Sequence, residues 1–207
     1  MLIRVQRFCR AVFFAGLVFA GSVAAVAQTD IAVSLFGAFT GTTTSDGIHL
    51  TPADQAGGMA ELRHIVNPLV GYDATYSYYR ANQTLPPLVT CFYFPGCNFP
   101  NLGISANAHE ITGDWIVSRT MLHVMPFALA GGGVLITVPA SGQTGLTTAT
   151  KAVFVYGAGL DWGLLSHIGL RVQYRGNIYK TPELVSGIQS TSFLHTAEPM
   201  IGAYFRF

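Results

Sequence analysis

Residues 167–180 read His-Ile-Gly-Leu-Arg-Val-Gln-Tyr-Arg-Gly-Asn-Ile-Tyr-Lys. In an extended chain successive side chains point to opposite faces, and this stretch sorts accordingly. Ile168, Leu170, Val172, Tyr174 and Ile178 share one face, while Arg171, Gln173, Arg175, Asn177 and Tyr179 share the other. The period of two predicts a strand, with charges on one side and aliphatics on the other. Alternation alone leaves open which face looks inward.

The same rhythm recurs along the chain. Val70, Tyr72, Ala74, Tyr76 and Tyr78 oppose Gly71, Asp73, Thr75, Ser77 and Tyr79. Ala60, Leu62, His64 and Val66 oppose Glu61, Arg63 and Ile65. In 107–117, Ile111, Trp115 and Val117 oppose Glu110, Thr112 and Asp114; in 153–162, Phe154, Tyr156, Leu160 and Trp162 oppose Val155, Gly157, Gly159 and Asp161. The last segment sets Ile201, Ala203, Phe205 and Phe207 against Glu198, Met200, Gly202, Tyr204 and Arg206. Residues 31–40 and 124–138 carry a weaker version, blurred by Ala and Gly. The connections alternate: long at 41–57, 82–104, 139–150 and 181–194, short at 67–68, 118–123 and 163–167. Eight strands of about ten residues with this spacing predict an all-β fold, a closed antiparallel up-and-down transmembrane barrel.

Composition points the same way. Half of the 207 residues are hydrophobic and only 10% are charged, well below the quarter or so usual for a soluble domain. Beyond the N-terminus no apolar run is long enough for a membrane helix, which needs about 20 residues. In lipid every backbone polar group must be paired within the protein, which leaves the closed barrel as the spanning structure. Residues 1–27 read as a cleaved signal peptide: Arg4, Arg7 and Arg10, an acid-free apolar run, then Ala25-Val26-Ala27 before Gln28. Cys9 precedes that run and is not placed as a lipid-attachment cysteine. Residues 28–207 then form one barrel domain. Of the 11 basic residues 3 leave with the signal, so 8 face 10 acidic ones, a net of −2. With no basic tract, nucleic acid is not an expected partner.

The C-terminal Met200-Ile-Gly-Ala-Tyr-Phe-Arg-Phe207 resembles the terminal assembly signal of bacterial outer-membrane barrels, with Gly202, Phe205 and Phe207 in matching positions and Met200 where a polar residue is usual. With the signal peptide and eight strands, residues 28–207 are similar to the small outer-membrane barrels of the OmpA/OmpX type. The resemblance implies an outer-membrane location, insertion by the barrel-assembly machinery, and contact with outer-membrane lipid and lipopolysaccharide. It implies no shared chemistry, because function on such a fold lies in its individual sites.

Candidate site residues fall in two groups. Glu61, Arg63, Asp73, Glu110, Asp114, Arg171, Arg175, Glu198 and Arg206 occupy the proposed inner face. An eight-stranded barrel is only wide enough to be filled by side chains, so these charges predict a paired, salt-bridged plug, the alternative being a narrow solute or ion channel. Asp161 and Glu198 are expected on strands flanking that of Arg171. Cys91 and Cys97, six apart in the longest loop around Pro95-Gly96, read as a disulfide closing a hairpin tip in an oxidising compartment. The aromatic residues Phe92, Tyr93, Phe94 and Phe99 in that loop offer a contact for a surface ligand. No His-x-Ser pair or other catalytic spacing occurs, and Gly131-Gly132-Gly133 precedes no helix that would make it a phosphate cradle. The expectation is a monomeric, non-enzymatic protein without cofactor or metal, serving a structural, anchoring or surface-interaction role. A lipid-modifying enzyme is the less favoured reading.

Overall fold

A computed structural model describes residues 28–45, 48–85, 102–142, 146–182 and 192–207. Residues 1–27, expected from sequence to be a signal peptide, and the pair Cys91 and Cys97 lie outside the described residues. The strands are β1 Gln28–Thr40, β2 Thr43–Ser45, β3 Ile48–Pro52, β4 Gln55–Ile65, β5 Val70–Arg80, β6 Gln83–Leu85, β7 Leu102–Ile104, β8 Ala106–Ser118, β9 Val124–Pro139, β10 Ala149–Gly163, β11 Ile168–Lys180 and β12 Phe193–Arg206. Eight of them close a barrel in the order β1-β12-β11-β10-β9-β8-β5-β4, every neighbour antiparallel. The expected closed eight-stranded architecture is the observed one.

The wall differs from the sequence reading at the long-loop end. The segments 41–57 and 82–104 were expected as loops, yet β2, β3, β6 and β7 form a four-stranded extension there. Thr51 pairs with Thr84 and Leu85 with Leu102, so the β4–β5 hairpin continues beyond the rim. β4 also begins at Gln55 rather than near residue 60, because Gly57 and Gly58 erase the alternation without breaking the ladder with Tyr79 and Tyr78.

At the other end the turns are tight. Asn67 shapes the β4–β5 connection: its carboxamide oxygen accepts from the amides of Leu69 and Val70 at 3.0 and 2.9 Å, an Asx turn inside which Pro68 fixes φ. The β8–β9 turn is held by paired amide–carbonyl bonds between Met121 and Val124, with Leu122 at φ 56°.

Closure joins the chain ends. Ile31 and Ile168 both stand opposite Phe205, and the Phe207 amide donates to the Thr29 carbonyl at 2.9 Å. Phe207 is exposed on the outer wall, edge-on to Phe205 at 5.3 Å. Its ring therefore adds little to the folded interior. Phe207→Ala is expected to slow insertion into vesicles several-fold in the presence of the assembly machinery, with little change in the urea midpoint of the folded protein. Unchanged insertion would show that the terminal motif is accidental.

Candidate functional site: the barrel interior

The strand period separates an apolar outside from a charged inside. Val33, Leu35, Leu62, Ile111, Val172 and Ile201 are exposed around the middle of the wall. Tyr72, Trp115, Trp162 and Phe205 lie toward the short-turn end, and Tyr76, Tyr78, Phe154 and Tyr156 toward the long-loop end. Two aromatic belts flanking an aliphatic band are the outer surface that a membrane requires. Histidines on this wall are tied to their neighbours: His109 Nδ1 to the Tyr76 hydroxyl at 2.9 Å, His195 Nε2 to the Tyr156 hydroxyl at 2.8 Å, and His64 Nδ1 to the Thr29 hydroxyl at 2.8 Å.

Inside, the lumen is stacked in layers. Nearest the long-loop end sit Phe36, Tyr79, Leu135, Tyr179 and Leu194, all buried, with Phe36 and Tyr79 edge-to-face at 6.0 Å. The sequence places Tyr79 and Tyr179 on the inner face but not an apolar layer, since Phe36 and Leu135 lie in the blurred strands and Leu194 in the expected connection 181–194.

Below it Arg175 reaches across from β11. Its Nη2 lies 3.3 Å from Glu110 and 3.7 Å from Asp114 and donates to the Thr112 hydroxyl at 3.1 Å, while Nη1 donates to the Thr75 hydroxyl at 3.0 Å. Asn177 donates to the other oxygen of Glu110 at 3.0 Å. Glu198 stands opposite Arg175 in the β11–β12 register, not beside Arg171 as expected from sequence. Arg171 instead stands opposite Gly202, where an added Cβ would run into Ser34 and the Val33 carbonyl of β1.

The deepest layer is built on Arg171 and Arg63. Arg171 Nε and Nη2 grip the two oxygens of Asp161 at 2.7 and 2.8 Å, Nη2 also donates to Asp30 at 3.0 Å, and Nη1 bonds Glu61. Arg63 reaches Glu61 at 2.7 Å, Asp161 at 3.3 Å and Asp73 at 3.5 Å. The two arginines thus share Glu61 and Asp161, knitting β1, β4, β5, β10 and β11 together across the lumen. Arg63 lies over the Phe127 ring at 4.1 Å, a cation–π contact in a desolvated setting. The sequence does not single out Asp30 and Phe127: the alternation of the first strand begins only at residue 31, and alanines and glycines hide the inward register of β9.

All three arginines are 0% exposed. Among the described residues seven buried carboxyls accompany them: Asp30, Glu61, Asp73, Glu110, Asp114, Asp161 and Glu198. Arg206, expected in the network, lies half-buried at the short-turn rim, 5.2 Å from the Tyr204 ring. There it lines a vestibule of about 480 Å³ that is floored by Asp161 and Tyr204. No group of three His, Cys, Asp or Glu side chains among the described residues has a metal-binding arrangement.

No family model matches the chain, and no curated protein is similar to it in sequence. Solved structures are similar in fold. OprG of Pseudomonas aeruginosa, an outer-membrane protein, matches with a TM-score of 0.56 at 10% identity over 88% of this chain and 97% of its own. Neisserial surface protein A matches at 0.55 with 12% identity, over 87% of this chain and 97% of its own. Ail, the attachment invasion locus protein of Yersinia pestis, matches at 0.53 with 17% identity over 87% and 99%, in a complex with the heparin analogue sucrose octasulfate. At these identities the likeness is one of fold: the chain has the closed eight-stranded fold of the small bacterial outer-membrane barrels, the OmpA/OmpX-like kind that its sequence resembles.

Proposed function

We propose that the protein resides in a bacterial outer membrane as a plugged, non-conducting barrel with a structural, anchoring or surface-interaction role. One observation carries the plug: Arg171 projects from β11 to carboxylates on β10, β1 and β4 while 0% exposed. A guanidinium held by three walls of so narrow a barrel leaves no hydrated path beside it. The apolar layer around Phe36 and Tyr79 seals the lumen above it. The aromatic belts support the membrane location, and the fold shared with Ail supports a role in contact at the surface through the long connections.

The reading is non-enzymatic. The outer-wall histidines His64, His109 and His195 are engaged by threonine or tyrosine hydroxyls and none by a serine nucleophile. Insertion by the barrel-assembly machinery, contact with lipopolysaccharide and a monomeric state belong to the same proposal, as does cleavage after Ala27. A narrow channel remains the second reading, favoured by the vestibule that opens at the short-turn end.

The protein is expected in the outer-membrane fraction, with faster gel migration unboiled than boiled and an intact mass that begins at Gln28. Recovery as a soluble periplasmic protein would overturn the proposal.

A further inference from the structure

The short-turn end carries more apolar surface than a solvated rim has use for. Met121, Leu122, Leu164 and Leu165 are exposed on two neighbouring hairpin turns, and Leu122 is 96% exposed. Leu122 also adopts φ 56°, a left-handed conformation that favours Gly or Asn over a branched side chain. A leucine standing free at a position where the backbone disfavours it marks a tip that meets something apolar.

Two arginines, Arg119 and Arg206, lie at the same end. On the outer wall beside these turns, a groove of about 570 Å³ runs between the end of β8 and the start of β9. Leu69, Val70, Val117, Pro126 and Ala128 line it, and Arg119 stands at its turn end. The groove exists because β9 presents Ala128, Ala130 and Gly132 outward, opposite Val117, Trp115 and Gly113 of β8. On the β9 side only Ala130 stands across from Trp115, which is 68% exposed.

An apolar channel along a strand, with a cation at its mouth and apolar tips at headgroup depth, matches an amphiphile with an anionic head. We infer that this groove seats one acyl chain of an anionic phospholipid, with the lipid phosphate at Arg119. The inference rests on the membrane location proposed above. A second copy fits the wall less well: a two-fold axis along the membrane normal would bring two Arg119 side chains together at one level. A basic side chain at a membrane surface is worth about 1 kcal/mol toward anionic lipid, or about five-fold in affinity.

Native mass spectrometry of the refolded protein from micelles holding equal phosphatidylglycerol and phosphatidylcholine tests this. The wild type is expected to retain one phosphatidylglycerol in preference to phosphatidylcholine. Arg119→Gln should reduce that preference about five-fold, and Ala128→Leu, which fills the groove, should remove both adducts. Ala203→Leu, exposed on the far wall, should change nothing. Equal retention of the two lipids, an unaffected Ala128→Leu, or paired barrels in place of lipid adducts would overturn the inference. Heat-modifiable mobility, read on each sample, separates these outcomes from failure of the barrel reading: loss of mobility in the wild type would sink the membrane proposal, whereas folded barrels without lipid preference sink only the seat.

Discussion

Gly133→Ala is expected to destabilise the folded barrel by about 1–3 kcal/mol, the usual cost of overpacking. Gly133 pairs with Thr112 and Val153 at the centre of β9. A Cβ there would run into the carbonyl oxygen of Ile111 and lie 2.7 Å from the Thr112 Cα. Both obstacles are backbone, so relief requires β8 and β9 to move apart and weaken their ladder. Gly113, across the same pair of strands, is the control: its added Cβ meets only the Asp73 carbonyl, at 4.0 Å. Gly113→Ala should therefore be neutral or gain about 0.4–1 kcal/mol, because alanine has fewer conformations to lose from the unfolded chain. Urea midpoints of the two variants in vesicles read the difference. Equal effects would show that the close approach of β8 to β9 is not a constraint in the folded protein. The three consecutive glycines thus act through packing, letting one wall come close to its neighbour, as glycines within strands do where backbones meet.

The wall of the barrel was legible because side-chain period and strand geometry are the same number. Wherever bulky residues alternate with polar ones, as in β5, β8 and β11, the inside and outside positions followed from sequence. The signal failed in β1 and β9, where Gly37, Ala38, Ala128 and Gly131–Gly133 make both faces look alike, and with it went Asp30 and Phe127. The interior charges were legible as a set but not as a set of partners. Pairing depends on barrel stagger: Glu198 meets the level of Arg175 rather than Arg171 because of the β11–β12 register, which no single strand encodes. Arg206 shares the inner face by alternation yet lies at the rim by height. The extension β2-β3-β6-β7 was not legible, since strands of three to five residues are too short to show a period.

Those partners make Arg171→Ala the substitution that decides between plug and pore. The arginine serves three carboxylates, and its loss is not equally felt by them. Glu61 and Asp161 retain contacts with Arg63 at 2.7 and 3.3 Å, but the arginine bonded to Asp30 is Arg171. With seven buried carboxyls already facing three buried arginines, removing one cation leaves Asp30 as an uncompensated charge out of water. Breaking a buried pair in this way costs about 3–5 kcal/mol. The loss should appear as a lower urea midpoint for Arg171→Ala in vesicles. Adding Asp30→Asn should restore part of it, because the second change removes the charge that the first one stranded. The double variant is then more stable than the single one, a sign that simple loss of packing does not produce. In a planar bilayer the wild type should conduct near background. If the lumen were instead a hydrated channel, water would solvate Asp30, Arg171→Ala would hardly alter stability, and the open lumen would shift toward cations. A stable Arg171→Ala variant with altered ion selectivity would therefore replace the plug with the channel.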